Sequence, residues 1–291
     1  MTISAKVIAD SISPAGIRLT TMQLRYPRFI HAEFMTHRVF SRNASSSRAI
    51  PVTRMIEDLR RDPAMPVYWG AHQAGMQAGA ELSEADIEVC EQHWLNAMEL
   101  MIDKAQDLMQ IGLHKQIANR ILEPWAHINV VVTATDWDNF FELRAHPDAQ
   151  PEIHALALEM FNAMAGSQPA HLKPGEWHLP YVTFDVIKQY CGPRSWDPVE
   201  LARKVSTAMC ARVSYLTHDG RPTTVEEDLK LFDRLVGSKP LHASPAEHQA
   251  TPDVLNTGHE LSQFPPEAGW ENPHLHGNFS GWVQHRKLLE I

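Results

Sequence analysis

The chain has 291 residues, a formal net charge of −9, 44% hydrophobic residues and 21% charged residues. These values are typical of a globular protein with one large or two ordinary cores, and the acidic balance argues against a nucleic-acid partner, since such proteins carry a basic surface. No apolar run approaches the roughly 18 residues that a membrane span requires. The first residues also lack the pattern of a secretory signal, so we expect a cytoplasmic protein without a membrane partner.

The three cysteines are scattered along the sequence and form no CxxC pair. This spacing predicts neither a disulfide framework nor a thiolate zinc site. Cys90 lies in an apolar helical stripe and Cys191 in a predicted turn. Cys210 stands near Arg212, which leaves a reactive thiolate open, although burial in a helix is the favoured interpretation.

Alternating apolar and polar residues predict two strands over residues 3–13 and 16–26, joined by a turn. Thr53 is the predicted cap of a short helix that closes at Asp62. The longest helix begins after Ser83, with Asp86 three residues on, and ends at Gly112. Its apolar stripe is expected to lie in the core or in a subunit interface and consists of Ile87, Cys90, Trp94, Met98, Met101, Ala105 and Leu108.

The middle of the chain predicts a helix over 113–122 and a buried strand over 127–135. A helix, a turn and a second helix follow as far as Gly166. A Pro- and Gly-rich bridge then precedes the last third, where Asp197 and Thr224 are strong helix caps.

Residues 25–51 differ from the rest of the chain in their density of hydrogen-bond donors. Pro27 is predicted to begin a short helix that delivers His37 and Arg38, and the residues after it are rich in serine and arginine. Guanidinium groups, hydroxyls and backbone N–H groups together suit an anion. The alternatives are a solvated serine-rich linker or a glycosylation sequon at Asn43, and the apolar residues on both sides disfavour them.

This segment resembles the RHRxxSxNExSxRY signature of the flavin-dependent thymidylate synthases, the ThyX family. The first Arg, the Glu and the final Tyr of that signature are replaced by Thr36, Ala44 and Ala49. Six positions match at the right spacing, namely His37, Arg38, Ser41, Asn43, Ser46 and Arg48. We call residues 36–49 the signature segment, and we expect a loop there.

Two further blocks are similar to the same family. Residues 116–122 resemble its E-x-A-R-x-x-L-P block, but Asn119 stands in place of the arginine, with Arg120 beside it. Residues 139–153 resemble its N-F-L-x-L-R and A-Q-x-E-I blocks. On the strand before them, Thr133 and Thr135 replace a paired Asn and Arg of the family.

The family's ARVSY and H-x-SPFEH elements normally precede the signature, whereas similar residues here occupy 211–215 and 242–248. The chain therefore resembles a circularly permuted, divergent member of the family. The resemblance implies an α/β (α+β) fold with a mixed sheet and long helices. It also implies a core over 1–165, a bridge over 166–196 and a family-like N-terminal part over 197–291.

Members of this family bind FAD between subunits, take a hydride from NADPH, and transfer a methylene group from methylenetetrahydrofolate to C5 of dUMP. The resemblance therefore implies an enzyme that makes dTMP, with a small nucleotide as substrate and shared sites in a homotetramer. The residues that would face the flavin are His37, Arg38, Ser41, Asn43, Asn139, Ser214 and His248.

The nucleotide would be bound by residues that match the family's substrate positions, with Arg144 also serving as the catalytic cation. An ion pair of Arg144 with Asp148 or Glu152 is the alternative role for that side chain. The residues expected to bind substrate are Glu33, Ser46, Ser47, Arg48, Arg120 and Arg144.

Glu33 stands where the family usually has a nucleotide-binding Gln. A carboxylate only accepts hydrogen bonds and would suit the exocyclic amine of a cytosine nucleotide. C5 methylation or hydroxymethylation of another pyrimidine nucleotide, such as dCMP, is therefore the second interpretation. A third, from another class, is a nucleotide-binding or scaffold protein without flavin.

Histidine pairs could also indicate a metal site. His31 with His37, and His274 with His276, are close in sequence. Neither pair has a third ligand at recognisable spacing, so we expect no bound metal.

Overall fold

The computed structural model describes residues 3–183, 187, 197–213, 222–237, 241–256 and 269–290. Its central element is a mixed five-stranded sheet of order β3-β4-β2-β1-β5, in which β5 runs parallel to β1 and the other neighbours are antiparallel. Gly16, with φ of 78°, forms the tight turn between the first two strands. The strands are β1 Ser4–Ile12, β2 Arg18–Pro27, β3 Ser41–Ala44, β4 His127–Ala134 and β5 Ala170–His171.

Helices cover the sheet and fill the last third of the chain, confirming the α/β class. They are α1 His31–Phe34, α2 Val52–Arg61, α3 Glu84–Gln110, α4 Lys115–Ala118, α5 Asp138–Arg144, α6 Pro151–Ala165, α7 Pro198–Arg212, α8 Val225–Val236 and α9 His285–Leu289. Two small antiparallel pairs join β6 Ala250–Pro252 to β9 Trp282–Gln284 and β7 Leu255–Asn256 to β8 Gly269–Trp270. None of the described helices is long and apolar enough to cross a bilayer.

Three predicted helix starts are confirmed by their capping hydrogen bonds. The Ser83 hydroxyl accepts from the Asp86 N–H, and the Asp197 carboxylate accepts from the Val199 N–H. Thr224 forms a reciprocal capping box. Such caps satisfy N–H groups that the first turn of a helix leaves free.

Other local predictions were wrong. Thr53 does not cap α2, which begins at Val52 directly after Pro51. The helix expected over 113–122 is only four residues long and continues as a 3-10 helix over Asn119–Trp125, which contains Pro124. A proline cannot donate a helical hydrogen bond, and short 3-10 turns accommodate it.

Residues 27–44 also differ from expectation. Pro27 ends β2 instead of beginning a helix, and a 3-10 turn over Arg28–Ile30 precedes the four-residue α1. Residues Ser41–Ala44 form edge strand β3, not a loop, because their backbone groups pair with β4.

One face of the sheet carries the main apolar core. Aromatic side chains after β2 and from α5 pack there with the apolar face of α6. The fully buried members include Met22, Tyr26, Phe34, Val130, Val132, Phe140, Leu156 and Met160. This packing fixes the end of α1 and the end of α5 on the same side of the sheet.

The Pro- and Gly-rich bridge is more than a connector. It supplies β5 to the sheet and places His178, 1% exposed, against both β1 and β2. The backbone of His178 also pairs with Ala250 of the last third. Buried hydrogen bonds of this kind bind the bridge to the body of the protein.

Candidate active site

The ends of α1 and α5 bring Arg144 together with three side chains that are more than 100 positions away in sequence. Arg144, the last residue of α5, donates from Nε to Nε2 of His37 at 3.0 Å. Its guanidinium lies 4.0 Å from a carboxylate oxygen of Glu33 and 3.5 Å from the hydroxyl of Thr36. The signature segment and the block that ends at Arg144 therefore meet at one place.

His37 is fixed by packing and is held neutral. His37 is 7% exposed, and its ring packs against the rings of Phe40 and Phe140, with centroid distances of 5.9 and 4.9 Å. Burial, followed by the charges of Arg144 and Arg42, lowers the pKa of His37 from its ordinary value. Because Nε2 accepts from Arg144, the proton of the neutral ring lies on Nδ1.

A cleft of about 1730 Å³ opens beside this cluster. Glu33 and Arg144 line one side, while the edge-to-face pair of Phe29 and Trp94 lies on another. The strip 73–78 forms a further wall. A charged edge combined with aromatic walls suits a ligand that carries flat rings and polar substituents.

The alternative ion pairs proposed for Arg144 are not formed. Glu152 accepts instead from the N–H of Val67 at 2.8 Å, and Asp148 lies 3.7 Å from His146. The guanidinium is thus directed to His37 and the cleft.

The predicted phosphate-binding residues lie in the turn after β3, at residues 45–50, which we call the phosphate turn. Arg48 is exposed, and its Nε donates to Ser46 Oγ at 3.5 Å. Ser47 is buried and donates its hydroxyl to Glu123 at 2.6 Å. Arg120 pairs with the same carboxylate at 3.0 Å. Ser46 and Arg48 therefore remain available to an anion, whereas the Ser47 hydroxyl is engaged by the protein.

The residues assigned to the flavin have different environments. Arg38 and Asn139 are exposed, and the guanidinium of Arg38 has no partner in the described part of the chain. Asn43 is partly buried in β3. Ser41 is 1% exposed and donates to Asn278 at 3.1 Å. Ser214 lies outside the described residues.

His248 lies beneath the signature segment, on the opposite face of the sheet from the main core. Its Nδ1 is 2.8 Å from the hydroxyl of Thr133, and Thr133 is the register partner of Ser41. His248 therefore lies next to β3. The permutation itself stays a prediction, because the Ser214 element is not described.

The paired histidines have protein partners. His31 Nδ1 lies 2.9 Å from the Tyr26 hydroxyl, and His276 Nε2 lies 2.8 Å from Asp253. Among the described residues, no group of three or more His, Cys, Asp or Glu could hold a metal ion.

Cys210 is fully buried inside α7. Burial raises the pKa of its thiol, which keeps the group protonated and inert. Its contact is the Gln249 amide at 3.5 Å, so the structural interpretation of this residue fits its environment.

Sequence reasoning missed three residues that organise the site. Asn119 donates to the carbonyl oxygens of Ser47 and Ile50, and Glu123 accepts from Ser47. His178 comes from the bridge and bonds Thr21, next to Thr133. The replacement at Asn119 was visible in the sequence, but its inward direction was not.

A family model and solved structures are similar to this chain. The family model described as "Thymidylate synthase complementing protein" matches residues 12–170. A search of curated proteins found no match. The crystal structure of the UMP/dUMP methylase PolB from Streptomyces cacaoi bound with 5-bromo-dUMP has a TM-score of 0.47 and 18% identity, and the match covers 56% of this chain and 90% of that chain. The same enzyme bound with 5-bromo-UMP has a TM-score of 0.48 and 18% identity, with 56% and 89% covered.

The family match extends over more than half of the chain and includes Glu33, His37, the phosphate turn and Arg144. The family is in general flavin-dependent. The chain therefore belongs to the thymidylate synthase complementing protein family, the flavin-dependent thymidylate synthases, and is a thymidylate synthase-like methyltransferase.

Proposed function

We propose that this enzyme catalyses FAD-dependent one-carbon transfer to C5 of a pyrimidine deoxynucleotide monophosphate. The preferred reaction is dUMP to dTMP, with methylenetetrahydrofolate as carbon donor and NADPH as reductant. The observation that carries this proposal is the position of Arg144, which His37 holds at 3.0 Å on the edge of a large cleft beside Glu33.

Arg144 is suited to stabilise charge on the pyrimidine. When C5 of the base becomes nucleophilic, negative charge develops on a ring carbonyl, and a fixed guanidinium lowers the energy of that state. His37 is neutral and takes the Nε–H of Arg144, and the Thr36 hydroxyl lies 3.5 Å from a second nitrogen, so the other N–H groups of the guanidinium are left for the base. The aromatic ring of the nucleotide would lie in the cleft.

The phosphate of the nucleotide would bind at the phosphate turn. Arg48 is exposed there, and no carboxylate pairs with it in the described part of the chain. Ser46 adds a hydroxyl. Arg120 is held near the turn because it pairs with Glu123, which also accepts from Ser47. In a chain of net charge −9, an exposed guanidinium group such as that of Arg48, without a carboxylate partner among the described residues, favours an anionic ligand.

The donor set of the signature segment fits FAD. Arg38 offers an uncompensated guanidinium to a diphosphate, while Asn43 and Asn139 offer amides to the polar ring edge. His37 would border the flavin through its ring. Ser41 and His248 would support the same place from β3 and from below the sheet. The resemblance also assigns Ser214 to the flavin, and this residue lies outside the described residues. The bound flavin would supply the redox chemistry of the reaction.

The flavin proposal predicts a loss of colour in a double variant. His37→Ala/Arg38→Ala should reduce flavin absorbance in the purified protein strongly, because it removes the charge and the ring at the proposed cofactor edge. Arg38→Ala alone should lower flavin occupancy while leaving thermal unfolding of the apoprotein nearly unchanged, since Arg38 is exposed. Arg54→Ala, an exposed arginine on α2, is the matched control. Full flavin retention in the double variant would contradict the assignment.

The identity of the base is tested through Glu33. Its side chain is 41% exposed at the cleft and lies close enough to Arg144 to orient it or to meet the base. We expect mass spectrometry to detect dTMP when the enzyme is incubated with dUMP, methylenetetrahydrofolate and NADPH. If Glu33 instead receives an exocyclic amine, dCMP will be preferred and Glu33→Gln will shift preference towards dUMP.

The same assay distinguishes the second candidate. A wild type that prefers dUMP, together with an unchanged preference in Glu33→Gln, would show that Glu33 does not read the base. A methylated or hydroxymethylated dCMP would overturn the dUMP proposal while leaving the one-carbon chemistry in place. A flavin-free protein that forms no product would overturn both.

We also propose a homotetramer with shared sites. Long helix α3 supports it, because three of its large apolar side chains are exposed in the single chain, namely Val89 at 56%, Leu100 at 55% and Met109 at 38%. Exposed apolar surface of this kind is typical of subunit contacts. A monomer in sedimentation at micromolar concentration would contradict the proposal.

A further inference from the structure

The carbonyl groups of the phosphate turn are held towards the protein interior. Asn119, which is fully buried, donates from Nδ2 to the carbonyl of Ser47 at 2.7 Å and to that of Ile50 at 3.0 Å. Lys115 donates to the carbonyl of Ala49 at 2.9 Å. Only the NH₂ end of an asparagine can bind two carbonyls, so this contact fixes the orientation of the amide.

The side chain of Glu123 holds the same turn through Ser47 and Arg28. Its carboxylate accepts the Ser47 hydroxyl at 2.6 Å and lies 3.2 Å from Nε of Arg28. Arg28 in turn reaches the carbonyl of Ser45 at 3.4 Å. Charge-assisted hydrogen bonds of this type are stronger than neutral ones and restrict the turn to one conformation.

The donors of the turn are left free by this arrangement. Within the described part of the chain, the backbone N–H groups of residues 46–48 donate no hydrogen bond. Among the described residues, the guanidinium of Arg48 hydrogen-bonds only the Ser46 hydroxyl. Successive free N–H groups beside a guanidinium form a ready anion site, provided that the backbone is held still.

We infer that Asn119 and Glu123 are positioning residues, which turn the carbonyls and the Ser47 hydroxyl inward so that the N–H groups of residues 46–48 and Arg48 bind the nucleotide phosphate. Asn119 has no charge of its own, unlike the arginine that the family block has at this position. It acts on the phosphate only by holding the turn. The inference rests on the proposed function, because it deepens the phosphate site assigned there.

Two sets of variants test it, and neither adds a charge that would weaken phosphate binding. The variant without Glu123 leaves Arg28 without its carboxylate partner, and a freed guanidinium favours an anion instead of repelling it. Asn119→Ala removes the carbonyl contacts without any change of charge. Arg120→Ala/Glu123→Ala removes the carboxylate together with its exposed partner and is compared with Arg120→Ala alone, which leaves the Glu123–Ser47 contact intact. Arg60→Ala/Glu99→Ala breaks an exposed ion pair elsewhere and is the charge-matched control.

The measurement is calorimetric binding of dUMP and of deoxyuridine to the full chain as purified, with a thermal melt of every variant. Deoxyuridine has the same base and sugar without the phosphate. We expect the preference for dUMP to fall about tenfold or more in Asn119→Ala, and in the double variant relative to Arg120→Ala, as loss of a hydrogen bond to a charged group implies. Deoxyuridine affinity should stay within experimental error, as should both affinities in the Arg60/Glu99 control.

The outcomes separate this inference from the proposed function. A wild type that prefers dUMP, with that preference unchanged in both variant sets, would overturn the positioning role and leave the phosphate site standing. A wild type that binds both ligands equally would overturn the phosphate site and the positioning role together. If Asn119→Ala gives no cooperative melt, the comparison at Glu123, a side chain 21% exposed, decides the inference.

Discussion

Arg144→Ala should lower kcat for the C5 transfer by about 100- to 1000-fold, the usual loss when one preorganised charge-stabilising donor is removed. The guanidinium is fixed by His37 at 3.0 Å, so little reorganisation is needed when charge grows on the base. The KM for dUMP should change less than kcat, because the contact strengthens in the transition state. Steady-state kinetics with dUMP as the varied substrate measure both quantities.

Arg48→Ala is the informative counterpart, since it removes a guanidinium of equal charge from the phosphate turn. A phosphate contact is present equally in the ground state and the transition state, so KM should rise more than kcat falls. If Arg144→Ala also raised KM and left kcat unchanged, Arg144 would be a binding residue and the catalytic assignment would be wrong.

The structure explains why some local signals were reliable, although the cap predicted at Thr53 failed. The caps at Ser83, Asp197 and Thr224 depend on residues within three positions of the helix start, and each was predicted correctly. The β1–β2 hairpin was also visible in the sequence, because alternation and a glycine turn are local properties. The six matching positions of the signature led to the family for the same reason.

Long-range partners could not be read in this way. Ser47 was assigned to the ligand from its neighbours, yet its hydroxyl meets Glu123, 76 positions away. The partner of Arg144 was sought among nearby acids, while the structure gives His37, 107 positions away. Which donor meets which acceptor depends on how the helices pack on the sheet, and no sequence pattern carries that information.

The bridge is the clearest case of this limit. Its Pro and Gly content is typical of a connector, but buried His178 makes it part of a hydrogen-bonded chain under the sheet. His178 lies 2.8 Å from the hydroxyls of both Ser11 and Thr21, and Thr21 lies 2.7 Å from Thr133. His248 ends the chain at 2.8 Å from Thr133.

This buried chain predicts that the protein loses stability in acid. Burial lowers the pKa of His178 and His248 to about 3, from an ordinary value of 6.5. Above pH 6.5 both histidines are neutral in the folded and the unfolded states, so their contribution is fully present. As the pH falls below 6.5, the unfolded chain binds protons that the folded protein excludes until about pH 3, and the free energy of unfolding decreases.

The expected loss is on the order of several kcal/mol, since a tenfold change in proton affinity corresponds to about 1.4 kcal/mol. Burial raises the pKa of Asp10, but hydrogen bonds from Arg18 and Ser167 outweigh it, and the pKa lies below the ordinary value of 3.8. The contribution of Asp10 to stability is therefore fully present above pH 3.8 and is lost only below it. Urea unfolding between pH 4.5 and about 7 therefore measures the effect of histidine protonation without that of Asp10.

His178→Gln is the variant that decides the cause. It removes one titrating ring. The free energy of unfolding should therefore be lower than that of the wild type at pH 7 but should depend less steeply on pH. His146→Gln, an exposed histidine with a side chain 58% accessible, should keep the wild-type slope. An equal slope in His178→Gln and the wild type would show that the buried chain does not carry the acid sensitivity, because removal of a group that titrates only in the unfolded state must flatten the curve.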